Sequence, residues 1–337
     1  MESETQTAAT TPAPKIVGVI VGLALIVGTV TLAFAWPSAD VGPNEVPIAV
    51  VGPPEVAAQV SEQLEAAEPD GFDVTEAADP DRARDMIEQR EVYAAFAIAP
   101  DGVDLYTASA ASPTVARLVT GIAEQIAAGQ DVPVEVEDVV ALPEDDPNGI
   151  GLAASALPMA AGGLIIAAFI SSAVRGSGRQ ALAAVLAPPA VGATIAAILV
   201  YLLGSIEGDY WAVTGAISLT LYAAAWAVLG LNKLLGRAGL ILGAVAIMLV
   251  GNPLSGLTSA PELLPAPWGE VGQYFTPGAG ATALKSLAFF DGNGADTALI
   301  VLASWLAAGI VLFFLGAVRR RAGTVGTVEK EPVTAEV

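Results

Sequence analysis

The sequence predicts a polytopic α-helical membrane protein of about six transmembrane helices, with an acidic extracellular α/β domain inserted between the first and second of them. Two observations carry that expectation. Hydrophobic residues make up 54% of the 337 and charged residues only 15%, an apolar excess that suits a lipid-embedded chain better than a water-soluble domain. The charge is also segregated. Between Pro37 and Leu152 stand 24 Asp or Glu against four Arg and no Lys, about −20 of the formal net charge of −21. The rest of the chain is nearly neutral and rich in long apolar runs.

Taken in order, residues 1–14 are small, polar and broken by proline, and read as a disordered cytoplasmic tail. Lys15 opens an apolar run to Trp36. At about 1.5 Å per residue this run is long enough to cross a ~30 Å hydrocarbon core, so 15–36 is the first span. Ala33-Phe34-Ala35 also resembles the cleavage site of a secretory signal. Signal cores are shorter, about 7–15 apolar residues, which favours a retained helix.

Residues 37–151 read as the acidic α/β domain. Val46–Val51 and Phe72–Thr75 are strand candidates, and Val56, Val60 and Leu64 recur at helical spacing between them. Asp79 before Pro80 is a helix start signal, with an N-cap followed by proline at the first helical position. Tyr93–Ala99 and Asp104–Ser109 flank Pro100-Asp101-Gly102, which predicts a hairpin. Ser112 caps a helix opening at Pro113, and Val132–Leu142 is a last extended segment.

Residues 152–318 hold five more apolar segments, at Leu152–Val174, Ala181–Leu203, Trp211–Leu231, Leu240–Val250 and Ala298–Val318. The fourth of these is short for a span, so its outer end is expected to be irregular. The cations fix the orientation. Arg175 and Arg179, then Lys233 and Arg237, then Arg319, Arg320 and Arg321 fall in alternate loops. By the positive-inside rule these loops face the cytoplasm. Both termini, including the 319–337 tail, are then cytoplasmic, the α/β domain lies outside, and the protein is a multi-pass protein of the plasma membrane. Trp36, Trp211 and Trp268 fall near the outer interface, as aromatic belts do.

The composition also excludes chemistry. With no Cys and no His, the chain has no disulfide, thiolate, Cys/His metal cage or imidazole base. An acidic chain without a basic groove does not suit nucleic acid. Gly278 to Lys285-Ser286 is the nearest approach to a phosphate-binding loop, but it lacks the glycine directly before the lysine. No enzyme activity, cofactor or metal site is expected. The acids Asp79/Asp81 and Glu144/Asp145/Asp146 lack calcium-loop spacing and read as solvated surface. The span interiors carry no Asp, Glu, Lys or Arg. Their polar residues, such as Ser155, Ser171, Thr194, Thr220 and Ser304, read as serving backbone or packing needs. Pro158, Pro188 and Pro189 remove backbone bonds within spans and either shape a conduit or hinge, or serve packing alone. Gly18-xxx-Gly22 and Gly239-xxx-Gly243 permit close helix approach, within the chain or between copies.

Residues 252–294 are too broken to span and too apolar for a plain loop. Pro253, Pro265 and Pro277 punctuate short amphipathic pieces, which predicts a re-entrant pair of helices in the outer leaflet. Three segments carry a family resemblance: Pro47–Val51 after the first span, Tyr93–Pro100, and the run from Pro253-Leu-Ser-Gly256 through Leu264-Pro265 and Trp268 to Pro277. Together with the order of spans, they make the chain resemble the ABC-2 type transporter membrane subunits, of the YhgE/Pip-like branch. The resemblance implies an export permease that works as a homodimer in the lipid bilayer, with a separate ATP-binding subunit docking on the cytoplasmic loops of Arg175, Arg179, Lys233 and Arg237. It implies a lipid-like, peptide or drug-like substrate leaving outward. The chain departs from the family at both docking elements: residues 1–14 form no amphipathic helix, and the loop near Arg175–Gln180 is very short. The alternative is a non-transporting receptor or envelope scaffold that binds through its outer domain.

Overall fold

A computed structural model of the chain describes residues 12–39, 41–99 and 101–328. It begins with an apolar helix, α1 (Ala13–Ala39), whose side chains are exposed along nearly all its length. An α/β domain follows: β1 (Val46–Val51), α2 (Pro54–Ala67), β2 (Phe72–Ala77), α3 (Pro80–Glu88), β3 (Ala94–Ala99), β4 (Gly102–Thr107), α4 (Pro113–Gln130) and β5 (Val134–Asp138). The expected start signals operate: the Asp79 carboxylate accepts from Arg82 N at 2.8 Å and the Ser112 hydroxyl from Val115 N at 3.2 Å. Each satisfies an amide that the first helical turn leaves unpaired.

The sheet runs β2-β1-β3-β4-β5. β1 is parallel to β2 and β3, the β3–β4 pair is the expected antiparallel hairpin, and β5 lies parallel to β4. Alternate residues of β1 face opposite sides. Val46, Ile48 and Val50 pack with α2 and α4, while Ala49 packs with Ala83, Met86 and Ile87 of α3. Both faces are completed from far along the chain. Ala260 and Leu263 join the first core and Phe290 the second.

The membrane bundle follows: α5 (Ile150–Ala154), α6 (Ala156–Ala173), α7 (Ser177–Ala197), α8 (Tyr210–Leu235), α9 (Arg237–Ala244), α10 (Trp268–Gln273), α11 (Thr276–Phe289) and α12 (Asp296–Val328). Five helical stretches have the length and composition to cross a membrane: α1, α5 with α6, α7 with the π-helical turn Ile198–Leu202, α8, and α12. The expected sixth span is shorter, Arg237–Gly251, and its far half is a π-helix, Val245–Gly251. The expected irregular end is thus a wide turn that delivers the chain into the hairpin. The hairpin has unequal limbs. A 3₁₀ turn (Pro261–Leu263) and six-residue α10 lead into 14-residue α11, which is buried along most of its length. α12 continues as helix into the expected 319–337 tail, as far as Val328. Residues 329–337, and residues 1–11 of the N-terminal tail, lie outside the described residues.

α8 is the hub of this bundle. Gly163 of α6, Gly192 of α7, Gly243 of α9, Gly280 of α11 and Gly309 of α12 all press against it, and a Cβ on any of them would collide with α8 atoms. Lipid gives apolar helices little reason to associate, so close backbone approach through small residues supplies the packing.

Candidate functional site

The residues singled out from sequence fall at three places. Arg175 and Arg179 are exposed beside the short turn between α6 and α7, and Arg237 is exposed after the α8–α9 turn. Lys233 is half-buried, its Nζ donating to Gln180 Oε1 at 2.7 Å and lying 5.2 Å from the Phe313 ring centroid. Arg320 donates to the carbonyls of Lys233 and Asn232 at 2.9 Å. These contacts gather the cationic loops at one end of the bundle, and the α/β domain sits at the other.

The prolines are spread out. Pro158 stands in the first turn of α6, beyond a break at Ser155. Pro188 and Pro189 lie inside α7 without ending it. Pro189 has no N–H for the carbonyl four residues back, Val185 O, and the Tyr222 hydroxyl of α8 donates to that oxygen instead. This is a packing role. Pro253 lies in the turn after the π-helix, Pro265 before α10, and Pro277 at the start of α11. The glycines divide. Gly239 and Gly243 meet Leu231 and Val228 of α8, whereas Gly18 and Gly22 face open space. Ser155, Thr194, Thr220 and Ser304 donate to carbonyls three or four residues back in their own helices. Asp146, read as surface, is buried, and its carboxylate accepts from the amides of Ile150 and Gly151 at 2.7 and 2.9 Å, capping α5. The glycines of the phosphate-loop look-alike, Gly278 and Gly280 of α11, are packing contacts against Gly272 of α10 and Thr220 of α8.

What sequence reasoning missed is the seam where the hairpin meets the α/β domain. Residues 42–44 run beside 262–264, with Gly42 N and Asn44 N donating to Leu263 O and Glu262 O. Tyr93 Oη donates to Glu262 Oε2 at 2.8 Å. Arg90 reaches across to α11, donating to Ser286 Oγ at 2.6 Å and Thr282 O at 3.3 Å, with its guanidinium over the Phe290 ring. Lys285, only 5% exposed, donates back to Ala111 O and to Ser259 O, each at 3.0 Å. The side-chain hydrogen bonds join residues 169 to 196 apart except for the Lys285–Ser259 pair, so no local motif announces them.

Burial sets the electrostatics here. It pushes the Lys285 amine down to about 7, with neighbouring Arg90 adding to the shift and Glu262 opposing it. It pushes the Arg90 guanidinium down and the Tyr93 phenol well up, so the phenol keeps its proton to donate.

Beside this cluster opens a cavity of about 800 Å³, walled by the α/β domain, the hairpin and the head of α12. Its size lies within the roughly 300–1,000 Å³ of small-molecule sites. Glu45, Asp70 and Arg90 line it and take φ of 50°, 57° and 60°. Among the described residues only Asp131 and Asp291 besides these are non-glycine residues with positive φ. Such backbone is held at a cost of order 1 kcal/mol each and concentrates at working sites. No family model, curated protein or solved structure matches this chain. The cavity and its seam therefore stand on their own geometry.

Proposed function

We propose that the chain is the membrane subunit of an ABC-2 type export system, working as a homodimer in the plasma membrane with a separate ATP-binding subunit. The observation that carries this reading is the order of parts. One apolar helix is followed by an inserted α/β domain. Five helices then follow, of which the fourth is short and opens into a buried hairpin directly before the last. That is the architecture the sequence resemblance implies. Two further features support it. The cationic loops gather at the end of the bundle away from the α/β domain, which the positive-inside rule assigns to the cytoplasm. Trp36 and Trp268 meet edge to face at 5.8 Å near the domain-bearing end, where an interfacial aromatic belt belongs. In this reading a lipid-like, peptide or drug-like substrate leaves on the domain side. The open face of α1, with Gly18 and Gly22, is available to a second copy.

The test is affinity purification in mild detergent after crosslinking, with mass spectrometry of what is retained. An ATP-binding subunit in stoichiometric yield is expected, and its absence removes the export reading. The short α6–α7 turn, which leaves little surface for an ATPase, favours a second reading, a cell-surface receptor that binds through the seam. Under that reading, replacing Arg175, Arg179 and Arg237 leaves function intact, whereas deleting residues 46–142 abolishes it.

A further inference from the structure

We propose that the seam cavity binds an amphiphile with a cationic head, an amine or quaternary ammonium, and that its carboxylates select that charge. Five acids line the cavity against one cation. Glu91 is already paired with Arg82 at 2.7 Å, and Arg90, whose hydrogen bonds go to the neutral Ser286 and Thr282 of α11, keeps its charge beside Glu262. Glu45, Asp70, Glu262 and Glu270 remain, and among the described residues none of them forms a salt bridge. An anion entering here meets four carboxylates, of which Glu262 alone has Arg90 and Lys285 close by, whereas a cation relieves their mutual repulsion.

The other wall fits a hydrocarbon. Leu264, Ala266, Pro267 and Ala298 present apolar surface, and Ala298 belongs to the first turn of the membrane helix α12. The head of a bound molecule would thus lie among the acids while its tail points toward the lipid-facing helix. The inference rests on the reading above, in which this end of the bundle handles a lipid-like or drug-like substrate. It narrows that class to cations.

The test is calorimetric titration of the full chain in phosphatidylcholine nanodiscs with hexyltrimethylammonium, whose short chain partitions weakly into lipid. Empty nanodiscs and hexyl sulfate serve as controls. Saturable 1:1 binding of the cation and none of the sulfate is expected. The double variant Glu262→Gln/Glu270→Gln is expected to weaken binding at least tenfold, its glutamine at 262 still accepting from Tyr93. Glu207→Gln, outside the cavity, leaves binding unchanged. Ala266→Trp, which fills the space without altering charge, is expected to block it. Heat no greater than that of empty nanodiscs, equal binding of the sulfate, or wild-type affinity in the double or the filling variant overturns the proposal. The titration needs no ATPase, so loss of the export reading and loss of this inference are separate outcomes.

Discussion

Lys285 is a buried amine held between two carbonyls in the seam. Unfolded, its amine has the ordinary pKa of 10.5; folded, burial brings it to about 7. Between these values the unfolded chain holds a proton that the folded chain has released, so stability rises with pH across that window. The charged groups facing it are Arg90 and Glu262. Thermal unfolding in detergent is expected to move upward from pH 7 to pH 9, and Lys285→Met to flatten that rise. An equal rise in the variant would contradict the assignment. The glycines give a second prediction at this scale. Gly309 abuts the backbone of Trp226 and Ala227, so Gly309→Ala is expected to cost about 1–3 kcal/mol through overpacking. Gly22→Ala, with nothing within 4 Å, costs nothing measurable by the same thermal assay. Neither residue advertised its place. A single lysine in a proline-punctuated stretch gives no sign of its distant partners, and a glycine reveals what it touches only when its partner helix is known.

The elements of the α/β domain were legible because their signals are local. Asp79 and Ser112 cap the helices they precede, and β3 and β4 pair as the expected antiparallel hairpin. The hydrophobic face of α4 was legible less completely. Val115, Val119, Ile122 and Ile126 share helical spacing, but of these only Val115 and Val119 are fully buried; Ala123 and Ala127 take the next two core positions, with Ile122 and Ile126 at the margin. Sheet order, set by contacts between distant segments, was not legible. Nor was the borrowing of core residues from the hairpin. That borrowing makes the domain and α11 one mechanical unit. Phe290 is 3% exposed in the core beneath α3, so Phe290→Ala is expected to cost about 3–5 kcal/mol. The loss should register in the α/β domain, as faster amide exchange in α3 and β3. Faster exchange confined to α11 and α12 would show that the domain folds without its guest.

At the scale of the molecule, the segregation of charge along the sequence becomes a segregation in space. The domain carrying most of the acids caps one end of the helices, and Arg175, Arg179, Lys233 and Arg237 gather at the other. The apolar runs disclosed the spans, but not that one helix would stand at their centre with a glycine of each neighbour against it. The account requires the two ends to lie on opposite faces of a bilayer, and the absence of native cysteine makes that directly measurable. Glu124→Cys places a thiol on the exposed face of α4, and Gly178→Cys places one at the α6–α7 turn. With a membrane-impermeant maleimide on intact cells, the account predicts that the first is labelled at once and the second only after permeabilisation. Equal labelling of both in intact cells, or protection of both, would contradict it.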